Sequence, residues 1–154
     1  MKLSALVYHL DSVGTYNFSD VEIKGITNDS RKVRPGYIFV AIKGYKTDGH
    51  NFIKKSLESG AQAIVSEERF SLSQKIPQII VRNTRKALSS LSCYFYNNPS
   101  QKINVVGVTG TNGKTTTTFL TKSVIEKAGY EAGLIGTINY QIGKKNYTCA
   151  GNNS

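Results

Sequence analysis

The stretch Val106-Gly107-Val108-Thr109-Gly110-Thr111-Asn112-Gly113-Lys114-Thr115-Thr116 decides how this sequence is read. Its residue types suit a phosphate-binding loop. Glycines let the main chain wrap closely around phosphate oxygens, and backbone N–H groups at a helix start form an anion hole. Lys114 supplies an ammonium for the outer phosphates, and the Thr115 hydroxyl is a ligand for the Mg²⁺ that nucleotides carry. The usual spacing puts a first glycine at position 108, where Val108 stands, so the pattern here is G-x-x-G-x-x-G-K-T. Thr117 and Thr118 extend the hydroxyl run, but as β-branched residues near a helix start they read as structural.

Working outward, the apolar run from Ile103 to Thr109 predicts a buried strand leading into the loop, and Lys114 to Ala128 predicts a helix stopped by Gly129. Leu134-Ile135 and Ile138-Asn139-Tyr140 predict one more strand, with a hairpin around Gly143-Lys144-Lys145. Pro99-Ser100-Gln101 marks the boundary, dividing the chain into residues 1–98 and 99–154. The second piece reads as the start of a P-loop type parallel-sheet domain. One strand, one helix and a hairpin cannot cover both faces of such a sheet, so this domain is expected to be truncated, the chain being part of a longer protein.

Upstream, the pattern is that of a small α/β domain. Leu3, Leu6, Val7 and Leu10 share one helical face, which predicts a short docking helix. Val21 and Ile23 alternate with charged residues before Gly25 and predict a strand, followed by the polar turn Thr27-Asn28-Asp29-Ser30-Arg31. Tyr37 to Ile42 is a near-continuous apolar run suited to a strand buried on both faces. Asn51 is the expected cap of a helix carrying Phe52, Ile53 and Leu57 and ending at Gly60. Ala63-Ile64-Val65 and Ile79-Ile80-Val81 predict further buried strands. Leu88, Leu91 and Phe95 recur at helical spacing between Thr84 and the stop at Asn97-Asn98-Pro99.

Composition excludes several classes. With 154 residues, 39% hydrophobic, the chain can bury a core, so collagen-like, fully disordered and disulfide-stapled architectures are set aside. No apolar run approaches the length of a membrane helix. The 20 basic residues outnumber the 10 acidic ones, yet the longest basic runs are pairs such as Arg31-Lys32 and Lys54-Lys55. That dispersed excess suits small anionic partners at least as well as nucleic acid. Cys93 and Cys149 match no metal-ligand spacing and read as free thiols. His9 and His50 have no catalytic partner at a recognisable spacing, and His50 is expected to shape the Asp48-Gly49 turn.

Taken together, the loop Val108 to Thr116 resembles the ATP-binding loop of the Mur ligase family, which uses the same shifted glycine spacing. Asp29-Ser30-Arg31-Lys32-Val33, Pro35-Gly36, Phe39-Val40-Ala41, Lys43-Gly44 and Asp48-Gly49-His50 resemble the N-terminal domain of the members that add the third residue and the final dipeptide of the peptidoglycan stem. Thr111 within the loop, and Gly133-Leu134-Ile135-Gly136-Thr137, are similar to the third-residue ligases; the dipeptide-adding sister more often has serine in place of Thr111.

The resemblance implies a cytoplasmic, ATP- and Mg²⁺-dependent ligase, expected to be a monomer. It would attach meso-diaminopimelate or L-lysine to UDP-N-acetylmuramoyl-L-alanyl-D-glutamate through an acyl phosphate. It further implies ATP binding by Gly110, Thr111, Asn112, Gly113, Lys114, Thr115 and Thr116, with Lys114 and Thr115 catalytic and Thr115 the metal ligand. The UDP-sugar would be held by Asn28, Ser30, Tyr45, Lys46 and Thr47. Ser30 has a plainer reading, its hydroxyl bonding its own turn, and Arg31 could meet a phosphate or pair with Asp29. An Asn-Thr-Thr-Pro segment of the family should fall at Asn152-Asn153-Ser154, making Asn152 a candidate contact. The family's carbamylated lysine and further metal ligands lie outside this sequence, so the chain alone is expected to be catalytically silent. Two alternatives remain: the dipeptide-adding ligase, and a basic nucleic-acid-binding module for which Tyr94-Phe95-Tyr96 is the one aromatic cluster. That cluster sits on an apolar helical stripe and reads as core packing.

Overall fold

The computed structural model describes residues 1–45, 47–72, 75–137, 139–143 and 145–148. Backbone contacts divide the chain into two units, Met1–Asn104 and Val105–Ser154. The break falls slightly later than the one expected after Asn98, because the 3₁₀ turn Pro99–Gln101 stays with the first unit. Among the described residues no helix is long and apolar enough to cross a membrane.

The first unit is built on a five-stranded sheet. Its strands are β1 (Ser12–Tyr16), β2 (Gly25–Thr27), β3 (Tyr37–Val40), β4 (Ala61–Ser66) and β5 (Gln78–Val81), in spatial order β1-β5-β4-β3-β2. From β2 to β5 neighbours run parallel; β1 closes the far edge antiparallel to β5. Burial on both faces explains the unbroken apolar runs of the central strands. Ile38 and Val40 point to one face, with Ala63, Val65, Ile79 and Val81. Phe39 and Ala41 point to the other, with Ala61 and Ile64. The Ala61/Ala63 change of side coincides with an irregular register between Tyr37 and Ile38.

Helices cover both faces. Helices α1 (Leu3–Val7) and α3 (Thr84–Phe95) supply Leu3, Leu6, Ala87 and Leu91 to the first face. Helix α2 (Ile53–Glu58) brings Ile53 to the second. Tyr94 and Phe95 pack against the first cluster while Tyr96 is exposed, so most of the aromatic cluster serves the core. Helix α3 is capped by Asn83, whose side chain accepts from the Lys86 N–H at 2.9 Å.

Three local expectations are corrected. The strand expected at Val21–Ile23 does not enter the sheet; Leu3 N donates to the Val21 carbonyl and Ile23 N to the Met1 carbonyl, so this segment pairs with the N-terminus, and the sheet strand begins at Gly25. Asn51 is not the helix cap. Asp48 accepts from the His50 N–H at 2.9 Å and starts a 3₁₀ turn, Gly49–Phe52, that runs into α2. Strand β1, where Gly14 interrupts the β pattern, is not among the expected elements.

In the second unit α4 spans Lys114–Lys127, with Gly129 at φ 87° beyond it as the expected stop. Strands β6 (Gly133–Ile135), β7 (Asn139–Ile142) and β8 (Lys145–Thr148) form an antiparallel sheet. The expected hairpin is therefore present, but the single strand expected from Leu134-Ile135 and Ile138-Asn139-Tyr140 is divided into β6 and β7, which pair antiparallel. The strand expected over Ile103–Thr109 is not formed: Ile103, Val105 and Val106 are exposed and pair with no strand among the described residues. An apolar run needs a neighbouring ladder before it becomes a strand.

Candidate functional site

Strands β2, β3 and β5 all end at the same edge of the parallel sheet, and their following segments converge there. Asn28 to Arg31 follow β2; Ile42, Gly44, Thr47 and Gly49 follow β3; Arg85 follows β5. With Phe52 and Lys55 these line an open cavity of about 540 Å³. In parallel sheets the carboxyl ends of the strands are where ligands gather, because the loops there are free of the ladder. Three of the cavity's side chains, Arg31, Lys55 and Arg85, are cationic.

The turn after β2 is built by Asp29. Its carboxylate accepts from the Arg31 backbone N–H at 3.0 Å and from the Arg31 guanidinium at 2.9 and 2.8 Å. The Arg31 side chain beside it, together with that backbone bond, pulls the Asp29 carboxyl down to about 2. Of the two readings of Arg31, the structure has the pairing with Asp29. Ser30 is buried and its hydroxyl bonds no protein group among the described residues. Its local capping task is done by Asp29, which leaves the hydroxyl to the cavity.

Asn28, Ser30 and Thr47 are thus brought together as expected. Tyr45 stands fully exposed beside the cavity, outside its wall, with the Arg85 guanidinium 5.8 Å from its ring centre. Lys46 and Asn152 lie outside the described residues. His50 shapes the turn before α2: Nδ1 lies 2.6 Å from Asp48 Oδ1, and the ring stacks on Phe70 at 5.3 Å. Backbone and side-chain hydrogen bonds from His50 lower the Asp48 pKa.

The second unit presents the glycine loop. Gly110 at φ 151° and Gly113 at φ 75° adopt backbone that a Cβ would strain. Lys114 Nζ donates to the carbonyls of Gly110 at 2.5 Å and Thr111 at 3.2 Å, folding the ammonium across the loop. Helix α4 has no side-chain cap, and among the described residues its first-turn N–H groups have no side-chain acceptor. Thr115 and Thr116 lie exposed on that turn. Thr118 Oγ1 donates to the Thr115 carbonyl at 2.8 Å, in keeping with its structural reading.

A model of the Mur ligase family catalytic domain matches residues 22–96, and one of the Mur ligase middle domain matches residues 108–153. The chain belongs to the Mur ligase family. An Aquifex aeolicus relative named UDP-N-acetylmuramoyl-L-alanyl-D-glutamate–2,6-diaminopimelate ligase is 49% identical over 142 residues, covering 92% of this chain and 28% of the relative. A Bacillus velezensis protein of the same name is 45% identical over 148 residues, covering 96% of this chain and 30% of its own length. The chain therefore spans less than a third of these relatives. The crystal structure of MurF ligase from Thermotoga maritima in complex with ADP superposes with a TM-score of 0.58 at 30% identity, covering 79% of this chain and 28% of that one. The cavity of this Mur ligase chain falls within the first matched span and the loop from Val108 onward within the second.

Sequence reasoning missed Lys55 and Arg85 as cavity residues. Neither belongs to a short motif. The signal that could have found Arg85 is topological: it follows directly on the last residues after a buried parallel strand.

Proposed function

We propose that the full-length protein is an ATP-dependent ligase joining a diamino acid to UDP-N-acetylmuramoyl-L-alanyl-D-glutamate, and that the diamino acid is meso-diaminopimelate. The names of the Aquifex and Bacillus relatives support that choice over L-lysine. In this reading residues 1–98 form the UDP-sugar domain and 99–154 the beginning of the ATP-binding domain. The observation that carries it is the cavity of the first unit, about 540 Å³ with cationic and hydroxyl groups on its wall, which suits a nucleotide sugar. Asn28, Ser30, Tyr45, Lys46 and Thr47 hold the uridine end, and Asn152 is a further candidate substrate contact.

The loop residues fit a magnesium nucleotide. A Cβ at Gly113 would meet nothing within 4 Å, so what reserves the position for glycine is its backbone conformation, which aims the following amides outward from the helix start. ATP, when bound with Mg²⁺, supplies a phosphoryl group that activates the substrate carboxylate toward an incoming amine. Gly110 to Gly113 and the amides of Thr115 and Thr116 hold phosphate oxygens in place. Lys114 would exchange its two carbonyl partners for phosphate oxygens and offset their charge, and the Thr115 hydroxyl would ligate the metal. Positioning and charge neutralisation of this kind are the main protein contributions to phosphoryl transfer.

The test is an assay of the full-length gene product with ATP, comparing the muramoyl dipeptide and tripeptide nucleotides and, for the dipeptide, diaminopimelate and lysine. Phosphate release that requires the dipeptide nucleotide and diaminopimelate is expected. Turnover only with the tripeptide nucleotide and a D-alanyl dipeptide would replace this reading with that of the sister ligase.

A further inference from the structure

The three cationic side chains on the cavity wall are not equivalent. Arg31 is matched by the Asp29 carboxylate through two side-chain hydrogen bonds. Lys55 and Arg85 belong to no ion pair among the described residues. Arg85 also occupies a fixed starting point. It stands in the first turn of α3, next to Thr84, whose backbone N–H and hydroxyl both donate to Glu67 Oε1 at 3.0 Å. Thr84 is buried, and the backbone bond to Thr84 is the main reason the Glu67 pKa is lowered.

From that point Arg85 reaches across to the loop after β3. Its Nη2 donates to the Lys43 carbonyl at 3.1 Å, and the guanidinium faces the Tyr45 ring. The same loop supplies Gly44 and Thr47 to the cavity wall. A guanidinium has five N–H donors, and the Lys43 bond uses only one. We infer that Arg85 is the positioning residue of this cavity: it clasps the loop carrying Lys43, Gly44 and Thr47 to α3 and, with Lys55, presents the unmatched positive charge that receives an anionic group of the ligand. The inference rests on the proposed function for the identity of that group, a diphosphate. Lysine at position 85 could keep the charge, but its compact ammonium lacks the planar fork that serves the loop and a ligand together.

The experiment titrates the isotope-labelled chain with UDP and, separately, with uridine at low and high salt, reading affinity from amide resonances. Arg85→Met, Arg85→Lys and Lys55→Met are compared with the parent, and thermal melts report their folding. Arg85→Met is expected to weaken UDP binding about tenfold and uridine binding less than about threefold, since hydrogen bonds to charged groups are the stronger ones. It should also flatten the salt dependence of UDP binding. Lys55→Met should weaken UDP binding while leaving the Gly44 resonance of the free protein in place. Arg85→Lys should regain the salt dependence without the full affinity, because the clasp is lost. If Arg85→Met does not fold, Arg85→Lys and Lys55→Met decide the matter by the same readings. Parental UDP affinity and salt dependence in the folded variants would overturn the assignment while leaving the cavity's uridine-nucleotide reading intact. Equal losses for UDP and uridine would overturn it too, reducing Arg85 to a brace. A parent chain that binds neither compound would overturn both the cavity reading and this inference.

Discussion

Asp29 organises the turn that holds Ser30. By accepting three hydrogen bonds from Arg31 it builds the turn, leaving the Ser30 hydroxyl without a local partner. The lowering of its pKa from the ordinary 3.8 to about 2 means that the ionised form is favoured by folding. The resulting stabilisation is complete above about pH 4 and fades as the pH drops toward 2. Chemical denaturation of Asp29→Asn and the parent should therefore give stabilities that differ most near neutral pH and converge in acid. A difference that stays constant down to that range would remove Asp29 from the account. At the glycine loop, Lys114→Ala in the full-length enzyme should abolish ATP turnover while sparing uridine-nucleotide binding, since the two sites lie in different units. Joint loss of both activities would mean that the loop is structural. Ser30→Ala should chiefly raise the apparent Michaelis constant for the nucleotide sugar, because a remote contact acts alike on ground and transition states. A fall in turnover at saturating substrate would contradict that role. The loop residues and Ser30 were legible because each sits in a short motif with its own chemistry. Lys55 and Arg85 were not, because only the folded chain brings them to the cavity.

Among the elements, the turn from α2 into β4 depends on a glycine. Gly60, at the end of α2, has φ +95°, and a Cβ there would lie 2.9 Å from Pro35 Cα. Gly60→Ala should cost about 1–3 kcal/mol in urea denaturation, the usual range for a residue forced into such backbone. An unchanged midpoint would show that the chain relaxes around the methyl. The central strands were readable from their apolar runs, since burial on both faces leaves no alternation to misread. The outer ones were not. Strand β2 has only three residues, and β1 contains a glycine whose weak propensity is overridden by pairing with β5. The run at Ile103–Thr109 errs in the other direction. It has strand composition and no ladder to join among the described residues.

At the scale of the molecule, the two units differ in how their apolar residues are covered. The first has a sheet covered by helices on both faces, whereas α4 of the second buries no residue and Leu120, Val124 and Ile135 are exposed. Hydrogen exchange should follow this contrast, with strong protection in β3, β4 and β5 and exchange in α4 faster by orders of magnitude. Comparable protection in both would contradict it. The two-part organisation could be read from the turn chemistry at Pro99 and the change of motif, but the dividing point could not, because the Pro99–Gln101 turn packs as a continuation of what precedes it. In the proposed function the first unit grips a sugar nucleotide at the carboxyl ends of its parallel strands. The most direct measurement of that grip is an amide-resonance map of the labelled chain titrated with UDP-N-acetylmuramoyl-L-alanyl-D-glutamate. Saturable shifts should cluster on Asn28 to Arg31, Gly44, Thr47 and Arg85, with α1 and α4 unmoved. Resonances of that cavity that stay still at saturating ligand, or shifts confined to α4, would contradict the account.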